Sequence, residues 1–109
     1  MQIEKYRHAK NLDVGGDNKI YTELDFDIQK KELVNFCIIQ FHIEKNKKQQ
    51  IVRIDTAHGK PHIHKLYTQN NIVEKFEEEI SPQAYEKAKQ FIYSNWKTFL
   101  ETYKRKDLK

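Results

Sequence analysis

The spacing of the apolar residues changes once along this chain, at Ser81. Before Ser81 the apolar residues alternate with polar ones, most clearly between Ile20 and Ile28, and alternation is typical of strands with one covered face. After Ser81 they recur every three or four residues, which is the spacing of an amphipathic helix. The sequence therefore predicts strands first and a single helix last.

Turn-rich stretches divide the first part of the chain into short segments. Gly, Asn, Asp, Lys and Pro cluster at residues 11–18, 45–50 and 56–61, and these types favour turns and loops. Strands are predicted at residues 2–8, 20–28, 33–44, 51–55, 62–67 and 72–76, with a further turn at 68–71. One face of the resulting sheet is expected to be covered, and it is predicted to carry Ile20, Leu24, Phe26, Cys37, Ile39 and Phe41.

The helix has a clear start signal. Ser81 is a good N-cap and Pro82 suits the first helical position. The apolar stripe that follows predicts a helix over about residues 82–104, and it consists of Tyr85, Ala88, Ile92, Trp96, Phe99 and Tyr103. Because an antiparallel meander needs one covered face, this helix is the expected cover. The predicted fold is α+β: a curved antiparallel β-meander of five or six strands with one long C-terminal helix packed across it.

Composition limits the class of protein. The chain has 109 residues, a net charge of +4 and a single cysteine, which fits one domain over residues 1–109 without an internal disulfide framework. No apolar run approaches the ~20 residues of a membrane span, and the first ten residues lack the apolar core of a signal peptide. We therefore expect a cytoplasmic protein without membrane attachment. Its mild basic excess is compatible with RNA or with an acidic protein partner.

Three of the five histidines fall in one segment, "IVRIDTAHGKPHIHKLY". Side chains alternate along a strand, so His62 and His64 are predicted to share a face. A hairpin would place Arg53 and Asp55 on the neighbouring strand, and His58 would lie in the intervening loop. The segment is therefore the candidate functional site of the chain.

Three interpretations of this segment remain open. In the first, the histidines are structural and hydrogen-bond Asp55 and loop carbonyls. In the second, His62 and His64 bind a metal ion with His58 or Asp55 as a third ligand, although the neighbouring lysines and Arg53 would repel a cation. In the third, the histidines carry out phosphoryl chemistry on RNA without a metal ion or another cofactor.

RNA cleavage by the 2′-hydroxyl needs a base, an acid and cations beside the phosphate, and histidine titrates near neutral pH. The expected acid–base pair is His58 and His64, with His62 and Asp55 as further catalytic candidates. Residues expected to bind the substrate, through positive charge or base stacking, are Arg53, Lys60, Lys65 and Tyr67.

The stretch from Arg53 to Tyr67 also resembles a motif of small prokaryotic proteins. It is similar in layout to TumE-type toxins of toxin–antitoxin modules, in which a basic-x-Asp-x-Ala-His pattern is followed by a His-rich segment. The matching positions here are Arg53, Asp55, Ala57, His58, His62 and His64. The resemblance implies a toxin that has an antitoxin partner and an RNA or translation target.

Two classes of function therefore stay open. The chain is either a small RNA-directed protein, with ribonuclease activity and an antitoxin partner, or a non-enzymatic binding domain in which the histidine cluster is structural. The second class would use the sheet or the long helix to pair with another protein or to form a homodimer.

Overall fold

The computed structural model describes residues 2–56, 59–67, 72–75 and 79–107. Within these residues six strands pair antiparallel with their sequence neighbours, so the sheet is a meander. The strands are β1 (Ile3–Asn11), β2 (Asn18–Asp27), β3 (Glu32–Glu44), β4 (Lys47–Asp55), β5 (His62–Lys65) and β6 (Ile72–Lys75), and the helix is α1 (Pro82–Asp107). The predicted α+β class, curved meander and long C-terminal helix are confirmed. The turn predicted at 68–71 lies outside the described residues.

The hairpin between β3 and β4 is tighter than the sequence predicts. Lys45 and Asn46 both have positive φ, 51° and 64°, which is the backbone of a two-residue type I′ turn. Because this turn follows the natural twist of a β-sheet, β4 begins already at Lys47. In the preceding hairpin the buried carboxylate of Asp27 accepts hydrogen bonds from two backbone N–H groups of the turn, at 3.0 and 3.2 Å.

The helix begins where its cap predicts. Ser81 Oγ accepts a hydrogen bond from the backbone N–H of Ala84 at 3.0 Å, and the first helical residue is Pro82. The helix has 26 residues and is therefore about 39 Å long at ~1.5 Å per residue. It packs over β3 and β4. The core between helix and sheet consists of Ile20, Phe36, Ile38, Ile51, Val52, Ile54, Ile63, Ala84, Ala88, Ile92 and Phe99.

The helix covers the opposite side of β3 from the one that the sequence predicted. The ring of Phe36 meets that of Tyr85 edge-on at 5.7 Å. Farther along β3, Gln40 Nε2 donates to the backbone carbonyl of Trp96 at 2.9 Å. Successive residues of a strand point to opposite faces, so Cys37, which follows Phe36 directly, lies on the uncovered side.

The prediction for β2 was correct, and its register explains the error on β3. Ile20 is buried beneath the helix, as expected, and it pairs with Gln40. Leu24 packs against the same core and pairs with Phe36. Directly paired residues share a face, and this pairing therefore carries Phe36, Ile38 and Gln40 to the covered side and Ile39 and Phe41 to the other.

The sheet extends beyond its cover. All nine residues of β1 are exposed, and Tyr6 retains 51% of its surface. No helix in the described part of the chain is long and apolar enough to cross a membrane.

Candidate functional site

The side of the sheet that faces away from α1, here called the open face, carries the central residues of the predicted site. Across the β4–β5 pair, Arg53 lies opposite His64 and Asp55 lies opposite His62. Asp55 also lies opposite Cys37 of β3, which points away from the helix. Because directly paired residues point to the same side, both histidines share the open face with Arg53 and Asp55. The sequence predicted this grouping correctly.

The carboxylate of Asp55 lies between two groups that can be positively charged. Asp55 Oδ2 is 2.9 Å from Nε of Arg53, and Asp55 Oδ1 is 3.6 Å from Nε2 of His64. The side chains of Asp55 and His64 retain only 15% and 16% of their surface, whereas Arg53 retains 36%. His64 and Asp55 are therefore held close together at a place on the open face that is largely withdrawn from water.

Both nitrogens that approach Asp55 are buried, yet neither makes a well-directed hydrogen bond with any described residue. They are close to the carboxylate in distance but not aligned with it. Such groups are rare in native structures, and a catalytic role is one recognised reason for them. The two nitrogens therefore mark Arg53 and His64 as more than packing residues.

The ring of His62 is oriented by its own loop. Its Nδ1 lies 2.7 Å from the backbone carbonyl of Lys60. Since a carbonyl can only accept, Nδ1 carries the proton, and the lone pair of the neutral ring is at Nε2. The ammonium group of Lys60 forms an ion pair with Glu79 at 3.2 Å and is half exposed. Lys60 therefore anchors the ring of His62 through its backbone, while its ammonium group pairs with Glu79.

Two of the predicted substrate-binding residues lie on the other side of the sheet. Lys65 pairs with the fully buried Val52, so both residues are on the covered face. Tyr67 follows β5 and packs its ring against Phe99 of the helix, with ring centres 6.2 Å apart. The structure thus brings Arg53 and Lys60 to the histidines but not Lys65 or Tyr67.

His58 and Ala57 lie outside the described residues. The predicted pairing of His58 with His64 therefore stays a prediction. The loop closes beside them, since Gly59 donates its backbone N–H to the carbonyl of Thr56 at 3.0 Å. Gly59 has a φ of 93°, a conformation that residues with a side chain rarely adopt.

A shallow cavity of about 260 Å³ adjoins the site on the open face. Asp55 belongs to both, and the other residues that line the cavity are Glu23, Asp25, Asn35, Phe36, Cys37 and Thr56. Burial, with a smaller contribution from the nearby Asp55 carboxylate, raises the pKa of the Cys37 thiol to about 11. Cys37 is therefore a neutral thiol at physiological pH and a poor nucleophile.

Sequence reasoning did not connect Glu23 and Asp25 with this site. The signal was present, because the alternation of β2 places both on its polar face. Each forms an ion pair with the edge strand: Asp25 with Lys5 at 3.0 Å and Glu23 with Arg7 at 2.8 Å. Hydrogen bonds to these carboxylates raise the pKa of Lys5 and of Arg7. The open face therefore carries paired charges from β1 to β5 rather than a field of one sign.

In the part of the chain that the structure describes, no three or more His, Cys, Asp or Glu side chains are grouped so that they could hold a metal ion. An imidazole beside a carboxylate can move protons near neutral pH, and a guanidinium can hold an anion.

A family model described as "Domain of unknown function (DUF7718)" matches residues 6–109, and the chain belongs to that family. No curated protein and no solved structure matches the chain.

Proposed function

We propose that this member of the DUF7718 family is a small RNA-directed protein that cleaves RNA without a metal ion, and that it acts as the toxin of a toxin–antitoxin module. One observation carries the proposal. His62 and His64 share the open face with Arg53 and Asp55, and the Nε2 atom of His64 is buried beside Asp55 without an aligned hydrogen bond. Two imidazoles, a carboxylate and a guanidinium form a set of groups suited to proton transfer at a phosphate.

The proposed reaction uses the 2′-hydroxyl of the RNA as its own nucleophile. A neutral imidazole takes the proton of that hydroxyl while the 2′-oxygen bonds to the adjacent phosphorus. The bond between phosphorus and the 5′-oxygen breaks, and a protonated imidazole gives its proton to the leaving oxygen. The products are a 2′,3′-cyclic phosphate and a free 5′-hydroxyl.

His64 is the proposed acid, with its Nε2 held 3.6 Å from the Asp55 carboxylate on the open face. The proposed base is His62, whose Nδ1 proton is fixed by Lys60, or His58, which the sequence predicts as the partner of His64. Arg53 and Lys60 would offset the negative charge that develops on the phosphate. Their positive charge also supports a reaction that needs no metal cation.

The test is cleavage of a labelled single-stranded RNA in the presence of excess chelator. We expect cleavage by the wild-type chain, a 2′,3′-cyclic phosphate at the new end by mass spectrometry, and no cleavage of the 2′-O-methyl analogue. His64→Ala should lower the rate by about 10²–10⁴-fold, the usual contribution of a general acid or base. His58→Ala and His62→Ala then identify the base.

The matched control is His8→Ala, which removes an exposed histidine of β1. It should cleave at the wild-type rate. Equal rates in His8→Ala and His64→Ala, or complete loss of activity in chelator, would end the proposal for this site.

The toxin role has a separate test. Induced expression of the wild-type chain in bacteria should stop growth, and His64→Ala should restore it. Co-expression of a short protein encoded beside the gene should do the same if that protein is the antitoxin. Normal growth under wild-type expression would remove the toxin assignment while leaving ribonuclease activity to be judged by the assay above.

A second candidate is favoured by one specific contact. The hydrogen bond from His62 Nδ1 to the Lys60 carbonyl ties the loop to β5, which is a structural use of a histidine. In that case the chain is a binding or homodimeric domain, and its histidine cluster supports the hairpin. A loss of about 0.5–1.5 kcal/mol of stability in His62→Ala, with no RNA cleavage by the wild type and a dimer in light scattering, would favour this candidate.

A further inference from the structure

Positive charge gathers at one end of the molecule, away from His62 and His64. The end, here called the basic end, consists of Lys45, Lys47 and Lys48 in and beside the β3–β4 turn and of Lys104 and Arg105 at the end of α1. All five residues are exposed. Among the side chains described at this end, the carboxylates are those of Asp17, Glu44 and Glu101, so the five cations are in excess.

The hairpin and the helix end are physically joined. The ring of Tyr103 lies edge-on to that of the buried His42, with ring centres 6.1 Å apart. A surface cavity of about 310 Å³ lies between them and is lined by Glu44, Lys45, Lys47, Gln49 and Tyr103. Lys45 and Lys47 therefore share one surface with the end of α1, where Lys104 and Arg105 follow Tyr103 in the chain.

The hairpin holds its lysines in a fixed arrangement. The two-residue type I′ turn has a defined backbone conformation, and Lys45 is its first residue. Lys48 lies on the open face, where its Nζ is 5.6 Å from the centre of the Phe41 ring. The basic end thus continues onto the open face at Lys48 and Phe41.

From these observations we propose that the basic end is a docking surface for the sugar–phosphate backbone of single-stranded RNA. This inference rests on the proposed function, since it supplies a second contact for the same substrate. Lys47 and Arg53 are six residues apart on β4, a distance of about 20 Å at ~3.3 Å per residue. A strand held at the basic end would run over Phe41 towards the histidines. Backbone contacts of this kind bind without regard to base sequence.

The test is fluorescence anisotropy with a labelled 2′-O-methyl oligonucleotide over a series of potassium chloride concentrations. This probe lacks the 2′-hydroxyl nucleophile, so binding is measured independently of cleavage. The test variant is Lys45→Asn combined with Lys47→Gln; Asn tolerates the positive φ at position 45. With two phosphate contacts removed, the slope of log K against log salt should become shallower by about 1.4.

The matched control is Lys30→Gln combined with Lys31→Asn in the β2–β3 turn. It removes the same charge from a second hairpin, where Lys31 also has a positive φ of 56°. This control should bind as the wild type does. Lys104→Gln combined with Arg105→Gln should weaken binding as the hairpin variant does, and it leaves the turn untouched.

Three results would overturn the inference: no binding of the oligonucleotide at low salt, equal weakening in the hairpin variant and its control, or equally tight lysine-dependent binding of polyglutamate. The last would assign the surface to an acidic protein. The outcome is separable from that of the proposed function. A chain that binds through the basic end but never cleaves RNA would end the catalytic proposal alone.

Discussion

Gln40 is fully buried between β3 and the helix, and only one of the two polar atoms of its amide makes a hydrogen bond with a described residue. Nε2 donates to the Trp96 carbonyl at 2.9 Å, whereas Oε1 has no hydrogen-bond partner among the described residues. Replacing Gln40 with Met removes one hydrogen bond, worth about 0.5–1.5 kcal/mol, and also removes an unpaired buried oxygen that costs about 1–3 kcal/mol. The shape changes little, since Met has similar length and adapts to its surroundings. We therefore expect Gln40→Met to stabilise the chain by about 1 kcal/mol.

The measurement is urea unfolding followed by circular dichroism, with thermal unfolding as a second probe. For a chain of this size about 1 kcal/mol corresponds to a rise of roughly 4 °C in Tm. The control is Gln90→Met, at an exposed position of α1. This substitution should change the free energy of unfolding by less than ~0.5 kcal/mol. Destabilisation of more than 1 kcal/mol by Gln40→Met would refute the reasoning, because it would mean that Oε1 is paired in solution.

Further predictions follow from the core, the thiol and one loop carboxylate. Ile92→Ala should lower the free energy of unfolding in urea by about 2–5 kcal/mol, because Ile92 is fully buried. Trp96 is partly exposed, and Trp96→Ala should lower it by about 3 kcal/mol. Losses below 1 kcal/mol would contradict the packing. Cys37 should react with iodoacetamide at pH 8 roughly 100-fold more slowly than a free thiol, because its pKa is raised to about 11. Asp55→Asn should speed the reaction, since the Asp55 carboxylate contributes to the raised pKa. A rate equal to that of glutathione would contradict this prediction. Asp13 accepts hydrogen bonds from Asn18 and backbone N–H groups, which lower its pKa below 3.8, so its stabilising effect is present above about pH 4 and is lost as the pH falls through the lowered value. The stability deficit of Asp13→Ala relative to wild type should therefore shrink between pH 6 and pH 3, and a deficit independent of pH would contradict it.

The elements of the fold were predictable because two local signals are strong. Ser81 and Pro82 fix the start of the helix, and alternation identifies β2 and β3. The boundaries of the β3–β4 hairpin were not predictable in the same way. Residues 47–50 are polar and exposed on both faces of β4, so they resemble a loop in sequence even though they are paired with β3.

The covered face of β3 could not be read from polarity. The strand has large apolar residues on both faces, and the covered face also holds Gln40 and His42. Both polar side chains find partners inside the molecule, since Gln40 bonds the helix and His42 Nδ1 lies 2.9 Å from Asn18 Oδ1. Contacts of this kind join residues far apart in the chain, and no local pattern predicts them. The pairing of β2 with β3 decides the face instead.

The same register argument explains which part of the site was predictable. The helix covers one face of the sheet, so the face of β4 that carries its charged residues is expected on the other side. Arg53 and Asp55 alternate with the buried Val52 and Ile54, and that alternation alone assigns them to the open face. Lys65 follows His64 by one residue, so the alternation of β5 assigns it to the covered side in spite of its charge. The helix that stabilises the sheet and the histidines proposed for chemistry consequently lie on opposite sides of it, so substitutions in the core act on stability and those on the open face act on the site.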